Sequence, residues 1–178
     1  MEAVFAHRSI AGAFGGQWGL GRVSPAPRSP SNDGQLSDQF VGTWRLVSFV
    51  GHGAGGREIS DYGPTPRGLL MYDKGGRMSV QITRSDRRPF KSDDPFRASP
   101  EELKNAFDGY FGYFGTYTVD EGAGTVTHHV EGASYPNYVG TDHLRFFTWR
   151  GNRLVLSTPP ERAGGSDVTY VATWERHP

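Results

Sequence analysis

Three polar side chains that alternate with apolar residues on strand faces are the candidates for chemistry: Tyr117, His128 and Arg145. A histidine near its ordinary pKa can act as a general acid or base. A tyrosine hydroxyl and an arginine that point inward would polarise a bound substrate through hydrogen bonds. Two structural alternatives remain open, namely a core His128 that is hydrogen-bonded to Tyr117 and an Arg145 that reaches solvent at a barrel rim.

Arg145 is assigned to an inward face by the hairpin that follows it. Gly151-Asn152 is a two-residue turn signal. It pairs Trp149 with Leu154 and places Phe147 and Arg145 on the same face. An unpaired arginine inside a barrel is very costly, so this side chain needs a carboxylate, carbonyl groups or a ligand as its partner.

Tyr117 and His128 are predicted to be neighbours on adjacent strands. A four-residue loop over 121–124 pairs them and puts apolar residues opposite apolar residues. Tyr113 and Val130 then share their face. A second predicted hairpin has its loop at Lys74-Gly75.

That second hairpin would supply an adaptable apolar wall. Its two-residue loop sets Met71 opposite Met78 and Leu69 opposite Val80. The four side chains are therefore predicted to face the interior.

Composition excludes several function classes. The chain has 178 residues, no cysteine and a formal net charge of zero, with 19 basic and 19 acidic residues. The charge balance gives no electrostatic case for nucleic acid or an anionic membrane, and no apolar stretch is long enough to span a bilayer. No phosphate-binding loop or metal-ligand spacing is present, so we predict neither cofactor nor metal. The absence of cysteine suits the cytoplasm.

The chain divides into two parts. Residues 1–38 are rich in Pro, Ser and Gly and are predicted to form a flexible extension or a lid. Residues 39–178 are predicted to form an all-β domain, a closed antiparallel barrel of eight or nine strands. One short helix at about 100–109 interrupts it, with Ser99 as N-cap and Glu102 completing a capping box.

Several segments of this domain resemble the lipocalin-like domain family, of the calycin-like β-barrels. The segments are FVGTWRLVSF, YGPTPRGLLMYDKGGRMSVQI, FDGYFGYFGTYTVD, GTVTHHVEGASYPNYVGT and a terminal WER, over about residues 40–176. The resemblance implies a barrel with a cavity for an apolar small molecule. It also implies that Trp44 plugs the closed end beneath Arg176. The inserted helix and the lack of cysteine depart from secreted lipocalins and make a secreted carrier less favoured.

Taken together, these features predict a barrel that binds an apolar, oxygenated small molecule. The favoured activity is a cofactor-independent cyclase or isomerase of secondary-metabolite biosynthesis, with Tyr117, His128 and Arg145 as its catalytic groups. The alternatives are a non-catalytic carrier or sequestering protein, and a stress or interaction domain. The oligomeric state stays open. The predicted ligand-binding residues are Leu69, Met71, Met78, Val80, Tyr113, Val130, Phe147, Trp149 and Tyr170.

Overall fold

A computed structural model describes residues 33–177 and confirms the closed antiparallel barrel. Eight strands form the closed wall, and two short strands, β2 and β9, extend it at β1 and β10. The barrel closes because β1 pairs with β10. The strands are β1 (Gly42–His52), β2 (Glu58–Ile59), β3 (Arg67–Tyr72), β4 (Arg77–Thr83), β5 (Tyr110–Asp120), β6 (Thr125–Ala133), β7 (Asp142–Arg150), β8 (Arg153–Ser157), β9 (Glu161–Ala163) and β10 (Ser166–Arg176).

The inserted helix is confirmed as α2 (Pro100–Asp108), between β4 and β5. The Ser99 side chain accepts from the backbone of Glu102, and the Glu102 carboxylate accepts from the backbone of Ser99. This reciprocal pair starts the helix as the sequence predicts. None of the helices in the described residues has the length and apolarity needed to cross a membrane.

A second helix, α1 (Asp33–Phe40), was not predicted. The predicted domain boundary between residues 38 and 39 falls inside it. Its last residue, Phe40, is fully buried and makes edge-on ring contacts with Tyr72, Phe147 and Trp149 at 5.0–5.5 Å between centroids. The predicted extension or lid lies outside the described residues up to Asn32.

Phe40 and Trp44 together close one end of the barrel. The Trp44 Nε1 donates to the Phe40 carbonyl at 2.8 Å, and the Trp44 ring is 1% exposed. Arg176 lies over that ring and donates to the carbonyls of Gln39 and Val41. The predicted cation–π pair is therefore present, and it also caps the carboxyl end of α1.

Two predicted hairpin registers are confirmed. Tyr117 pairs with His128 across β5 and β6. Trp149 pairs with Leu154 across β7 and β8. His129 points outward, where it pairs with an aspartate. The predicted inward face of β6 therefore stands.

The predicted register of the β3–β4 hairpin is wrong by one residue. Tyr72, not Met71, lies opposite Met78, and Leu70 lies opposite Val80. The turn is longer than two residues: the Asp73 N–H donates to the carbonyl of Arg77 at 2.9 Å, and Gly76 has a φ of +79° that favours glycine. A one-residue shift exchanges the two faces of a strand, so the side chains predicted to point inward, at 69 and 71, point outward.

Candidate functional site

A cavity of about 160 Å³ occupies the barrel interior. Its wall is mainly apolar, with several polar groups towards one side. The lining residues are Phe49, Asp61, Tyr62, Leu70, Val80, Ile82, Phe111, Tyr113, His128, Tyr138, Arg145, Leu156, Thr158, Glu161, Tyr170, Ala172 and Trp174. An apolar pocket with a few placed polar groups is the usual form of a small-molecule site.

The cavity lies beyond the closed end of the barrel. Trp149 contacts Trp44 in the plug, with ring centroids 5.7 Å apart. Arg145, on the same strand, is four residues further and hence about 13 Å along the strand. The polar groups near Arg145 therefore mark the side of the cavity away from the plug, which we call the mouth.

His128 is held between two tyrosines. Its Nδ1 is 2.6 Å from the Tyr113 hydroxyl, and its Nε2 is 2.6 Å from the Tyr72 hydroxyl. The ring is 2% exposed. Both ring nitrogens thus have partners, as a buried polar side chain requires.

The imidazole of His128 is neutral near neutral pH. Burial holds its pKa well below the usual 6.5, and the positive charge of Arg145 lowers the pKa further. Burial raises the pKa of the Tyr113 hydroxyl, and the positive charge of Arg145 lowers it against that larger effect. A neutral imidazole has one N–H, so one of the two tyrosines accepts from the ring and the other donates to it.

Arg145 is fixed by groups around it, and its side chain is only 11% exposed. Its Nη1 donates to Glu161 Oε1 at 3.1 Å and to the Leu144 carbonyl at 2.8 Å. Its Nη2 lies 3.2 Å from Nδ1 of His143. Burial first, and then the charge of Arg145, lower the pKa of His143 to about 4, so its Nδ1 is free to accept.

These polar groups extend from the mouth into the core. The Glu161 carboxylate pairs with Arg145, and the Arg145 charge acts on the Tyr113 hydroxyl. Hydrogen bonds then join Tyr113 to His128 and His128 to Tyr72. Burial raises the pKa of the Tyr113 and Tyr72 hydroxyls, so both tyrosines stay protonated. These contacts hold Arg145 and Tyr113 in place at the cavity wall.

Aromatic rings surround the mouth. The Tyr170 hydroxyl donates to Asp61 Oδ2 at 2.7 Å, and its ring stacks on Phe49 with centroids 5.2 Å apart. Tyr62 packs edge-on against Phe49 at 5.5 Å. Burial, with a smaller effect of the Asp61 charge, raises the pKa of Tyr62 to about 12.

The structure brings part of the predicted site together at the cavity. Five predicted residues line it: Val80, Tyr113, His128, Arg145 and Tyr170. The positions of Tyr113, His128 and Arg145 follow from the confirmed registers of β5–β6 and β7–β8.

The other predicted residues lie elsewhere. Met78 and Val130 are buried but do not line the cavity. Tyr117 donates to the Asp73 carbonyl at 3.0 Å and packs on Tyr72, so it does not reach the cavity or bond to His128.

Four further residues were predicted to bind the ligand but lie away from the cavity. Helix α1 fills the place predicted for two of them, and the register of β3 turns the other two outward. Phe147 and Trp149 pack against Phe40 in the plug, since the unpredicted helix α1 fills the barrel there. Leu69 and Met71 lie on the outer face of β3, and Met71 is 39% exposed.

Sequence reasoning missed six polar residues of the site: Tyr72, which bonds to His128, and Asp61, Tyr62, Tyr138, Thr158 and Glu161, which line the cavity. Tyr72 was excluded by the wrong hairpin register, which a longer turn around Asp73 and Gly76 would have corrected. Glu161 lies on the three-residue strand β9 after Pro159 and Pro160, where no periodic pattern marks a strand.

Metal ligation finds no support in the described part of the chain. No three His, Asp or Glu side chains of residues 33–177 converge in a way that could hold an ion. The prediction of a cofactor-free site stays a prediction.

Comparison with known proteins finds similarities of three kinds. A family model described as a lipocalin-like domain matches residues 41–177. The 4'-hydroxy-3'-methoxypropiophenone carrier protein ppsC of Aspergillus oryzae (strain ATCC 42149 / RIB 40) is 33% identical over 108 residues, which cover 57% of this chain and 97% of that protein. A crystal structure of a mutant of the fluorescent protein UnaG covers 80% of this chain and 99% of its own, at 14% identity and a TM-score of 0.36.

Proposed function

Because the chain belongs to the lipocalin-like domain family, we propose that its barrel binds and carries a small oxygenated aromatic molecule in a biosynthetic pathway. The observation that carries this proposal is the mainly apolar cavity in the barrel interior, with polar groups at its mouth. The relative from Aspergillus oryzae supports it, because that protein is named as a carrier of an aryl ketone. A sequence without cysteine is compatible with the cytoplasm as the proposed compartment.

The size of the cavity favours a ligand with one aromatic ring. Its volume is about 160 Å³, and an apolar protein cavity of about 150 Å³ holds benzene. A single ring with short substituents that reach towards the mouth suits this space. A large polycyclic product does not.

Binding without reaction suits the way in which the polar groups are already paired. The Arg145 guanidinium has Glu161, a carbonyl and His143 as partners. Both nitrogens of His128 are occupied by tyrosines. A bound molecule therefore meets a wall that needs no charged ligand to neutralise it.

The test is a titration of the full chain with 4'-hydroxy-3'-methoxypropiophenone. Tryptophan fluorescence and calorimetry measure the binding. Ala172 lines the cavity, so Ala172→Leu should fill part of it and weaken binding. Ala123→Leu, in the exposed β5–β6 loop, is the matched control and should bind as the unaltered protein does. An absence of binding by the unaltered chain, or equal binding by the Ala172→Leu variant, would contradict the proposal.

A second candidate is the cyclase or isomerase, and the charge of Arg145 close to the Tyr113 hydroxyl favours it. Tyr113 would donate its one proton to the ligand carbonyl oxygen, and the Arg145 charge would stabilise the phenolate that remains. The Glu161 carboxylate, which also lines the cavity, would take the proton that leaves the α-carbon, and return of both protons would restore the ketone.

This second candidate predicts exchange of the α-protons of an aryl ketone in D₂O. NMR should show faster exchange with the unaltered protein than with Tyr113→Phe. Binding without any acceleration would leave the carrier function alone.

A further inference from the structure

Two indole N–H groups are buried without a hydrogen-bond partner within the described residues, Trp149 Nε1 and Trp174 Nε1. A buried donor left unpaired costs about 1–3 kcal/mol, so such groups are uncommon. Both rings belong to strands of the barrel, and both point inward.

The two tryptophans differ in what surrounds them. Trp149 packs between Phe40 and Trp44 in the plug, with ring centroids at 5.4 and 5.7 Å. Trp174 lines the cavity and is 1% exposed. Only the second residue therefore lines space that a ligand can fill. Its Nε1 is itself covered, so the indole must turn slightly to donate to a ligand there.

Trp174 also defines the depth at which a ligand meets it. Tyr170, Ala172 and Trp174 all line the cavity from β10. Tyr170 lies at the mouth, where it bonds to Asp61, and Trp174 is four residues, or about 13 Å along the strand, deeper. We call the Trp174 side of the cavity its floor.

Apolar side chains separate the mouth from the floor. Leu70, Val80, Leu156 and Ala172 are buried and contribute no hydrogen-bonding groups to the wall between them. A ligand that reaches the floor therefore needs an apolar middle section, and its far end meets a donor that has no acceptor.

We infer that Trp174 Nε1 donates a hydrogen bond to a carbonyl oxygen at the inner end of the ligand, whose phenolic hydroxyl faces the mouth. This inference rests on the proposed function, since it assigns one contact in the same cavity. It makes Trp174 the residue that selects ketones over ligands with a methylene at that position. An acceptor is required there because an indole nitrogen can only donate.

The test is a double comparison of two variants and two probes on the full chain. The probes are 4'-hydroxypropiophenone and 4-propylphenol, which differ in one carbonyl group. Trp174→Phe removes the N–H and keeps an aromatic ring, and Trp149→Phe removes the other orphan N–H from the plug. Calorimetry gives the ratio of the two dissociation constants for each protein.

The unaltered protein and Trp149→Phe should show the same preference for the ketone, relative to the propylphenol. Trp174→Phe should reduce that preference about three- to tenfold, the effect of one neutral hydrogen bond. An unchanged preference in folded Trp174→Phe would overturn the inference and leave the proposed function standing. Failure of both probes to bind the unaltered protein would overturn the proposed function, and the inference with it.

A measurement on the unaltered protein decides the matter even where Trp174→Phe does not fold. In a ¹⁵N-labelled sample, the ketone should move one protected indole N–H resonance downfield, and 4-propylphenol should not. Equal shifts with both probes would overturn the inference. Assignment through Trp149→Phe separates the resonance of the plug from that of the floor.

Discussion

Arg176 lies over the indole of Trp44, with its Cζ 4.4 Å from the ring centroid. The same guanidinium donates to the carbonyls of Gln39 and Val41, at 2.6 and 2.7 Å. One side chain near the end of the chain thus fixes both the plug and the helix that precedes β1.

Trp44→Ala should destabilise the protein by about 3–5 kcal/mol, because it removes a fully buried ring. Urea unfolding measures this loss. Trp44→Phe keeps a ring beneath Arg176 and should cost less. A Trp44→Ala midpoint close to that of the unaltered protein would show that the ring is not a structural plug.

Phe40→Ala should cost a similar amount, about 3–5 kcal/mol, because Phe40 fills the barrel between three aromatic rings. Phe40→Leu retains most of the volume and is the control. Thermal unfolding followed by near-ultraviolet circular dichroism checks both. Equal stability of the two variants would show that α1 does not contribute to the core.

Tyr72→Phe should destabilise the fold by about 1–3 kcal/mol, since it leaves a buried nitrogen of His128 unpaired. Tyr117→Phe is the matched control, because its hydroxyl bonds to an exposed carbonyl, and it should cost less than about 1 kcal/mol. Chemical denaturation compares them. A smaller loss for Tyr72→Phe than for Tyr117→Phe would contradict the arrangement around His128.

The free energy of unfolding should fall as the pH falls below about 6.5, the ordinary histidine value. Folding lowers the pKa of His128 and of His143, the latter to about 4. Between the folded and unfolded values the unfolded chain binds more protons, so stability rises with pH there and is complete above about 6.5. Each histidine contributes at most about 1.4 kcal/mol per pH unit.

Urea midpoints measured from about pH 4.5 to 7.5 test this dependence. His143→Gln keeps an oxygen acceptor for Arg145 and removes one titrating group, so its profile should be shallower. His129→Gln, on the outer face, is the control variant. A His143→Gln profile parallel to that of the unaltered protein would exclude the predicted role of His143.

Much of the barrel was predictable because its hairpins have short turns and matched faces. The turn at Gly151-Asn152 sets the β7–β8 register and carries Arg145 inward. The β5–β6 loop does the same for His128. In both cases a shift of one residue would expose an apolar face, so the pattern leaves one solution.

The β3–β4 register and helix α1 were not predicted correctly, because they depend on information that local sequence patterns do not contain. In the β3–β4 hairpin both faces carry apolar side chains, Leu69 and Met71 on one and Leu70 and Tyr72 on the other. The hydrophobic pattern therefore does not select a register, and the turn decides it. Helix α1 was missed because its main stabilising contact, Phe40 in the barrel, is tertiary.

The partner of Arg145 at the cavity wall could not be predicted for the same reason. Glu161 meets Arg145 from a three-residue strand, and the pairing depends on how the chain folds back after β8. Sequence reasoning states that an inward arginine needs a partner. It does not state which of the chain's acidic residues supplies one.

The hydrogen bond between Asp61 and Tyr170 bears on the rates at which a ligand would bind and leave. It joins the connection after β2 to β10 across the mouth, and the stacked Phe49 lies against the same tyrosine. If the proposed ligand passes between these two residues, the bond must open both on arrival and on departure. The contact is therefore expected to slow association and dissociation by the same factor and to leave the equilibrium unchanged. The residence time of the proposed ligand would then depend on how often this hydrogen bond opens.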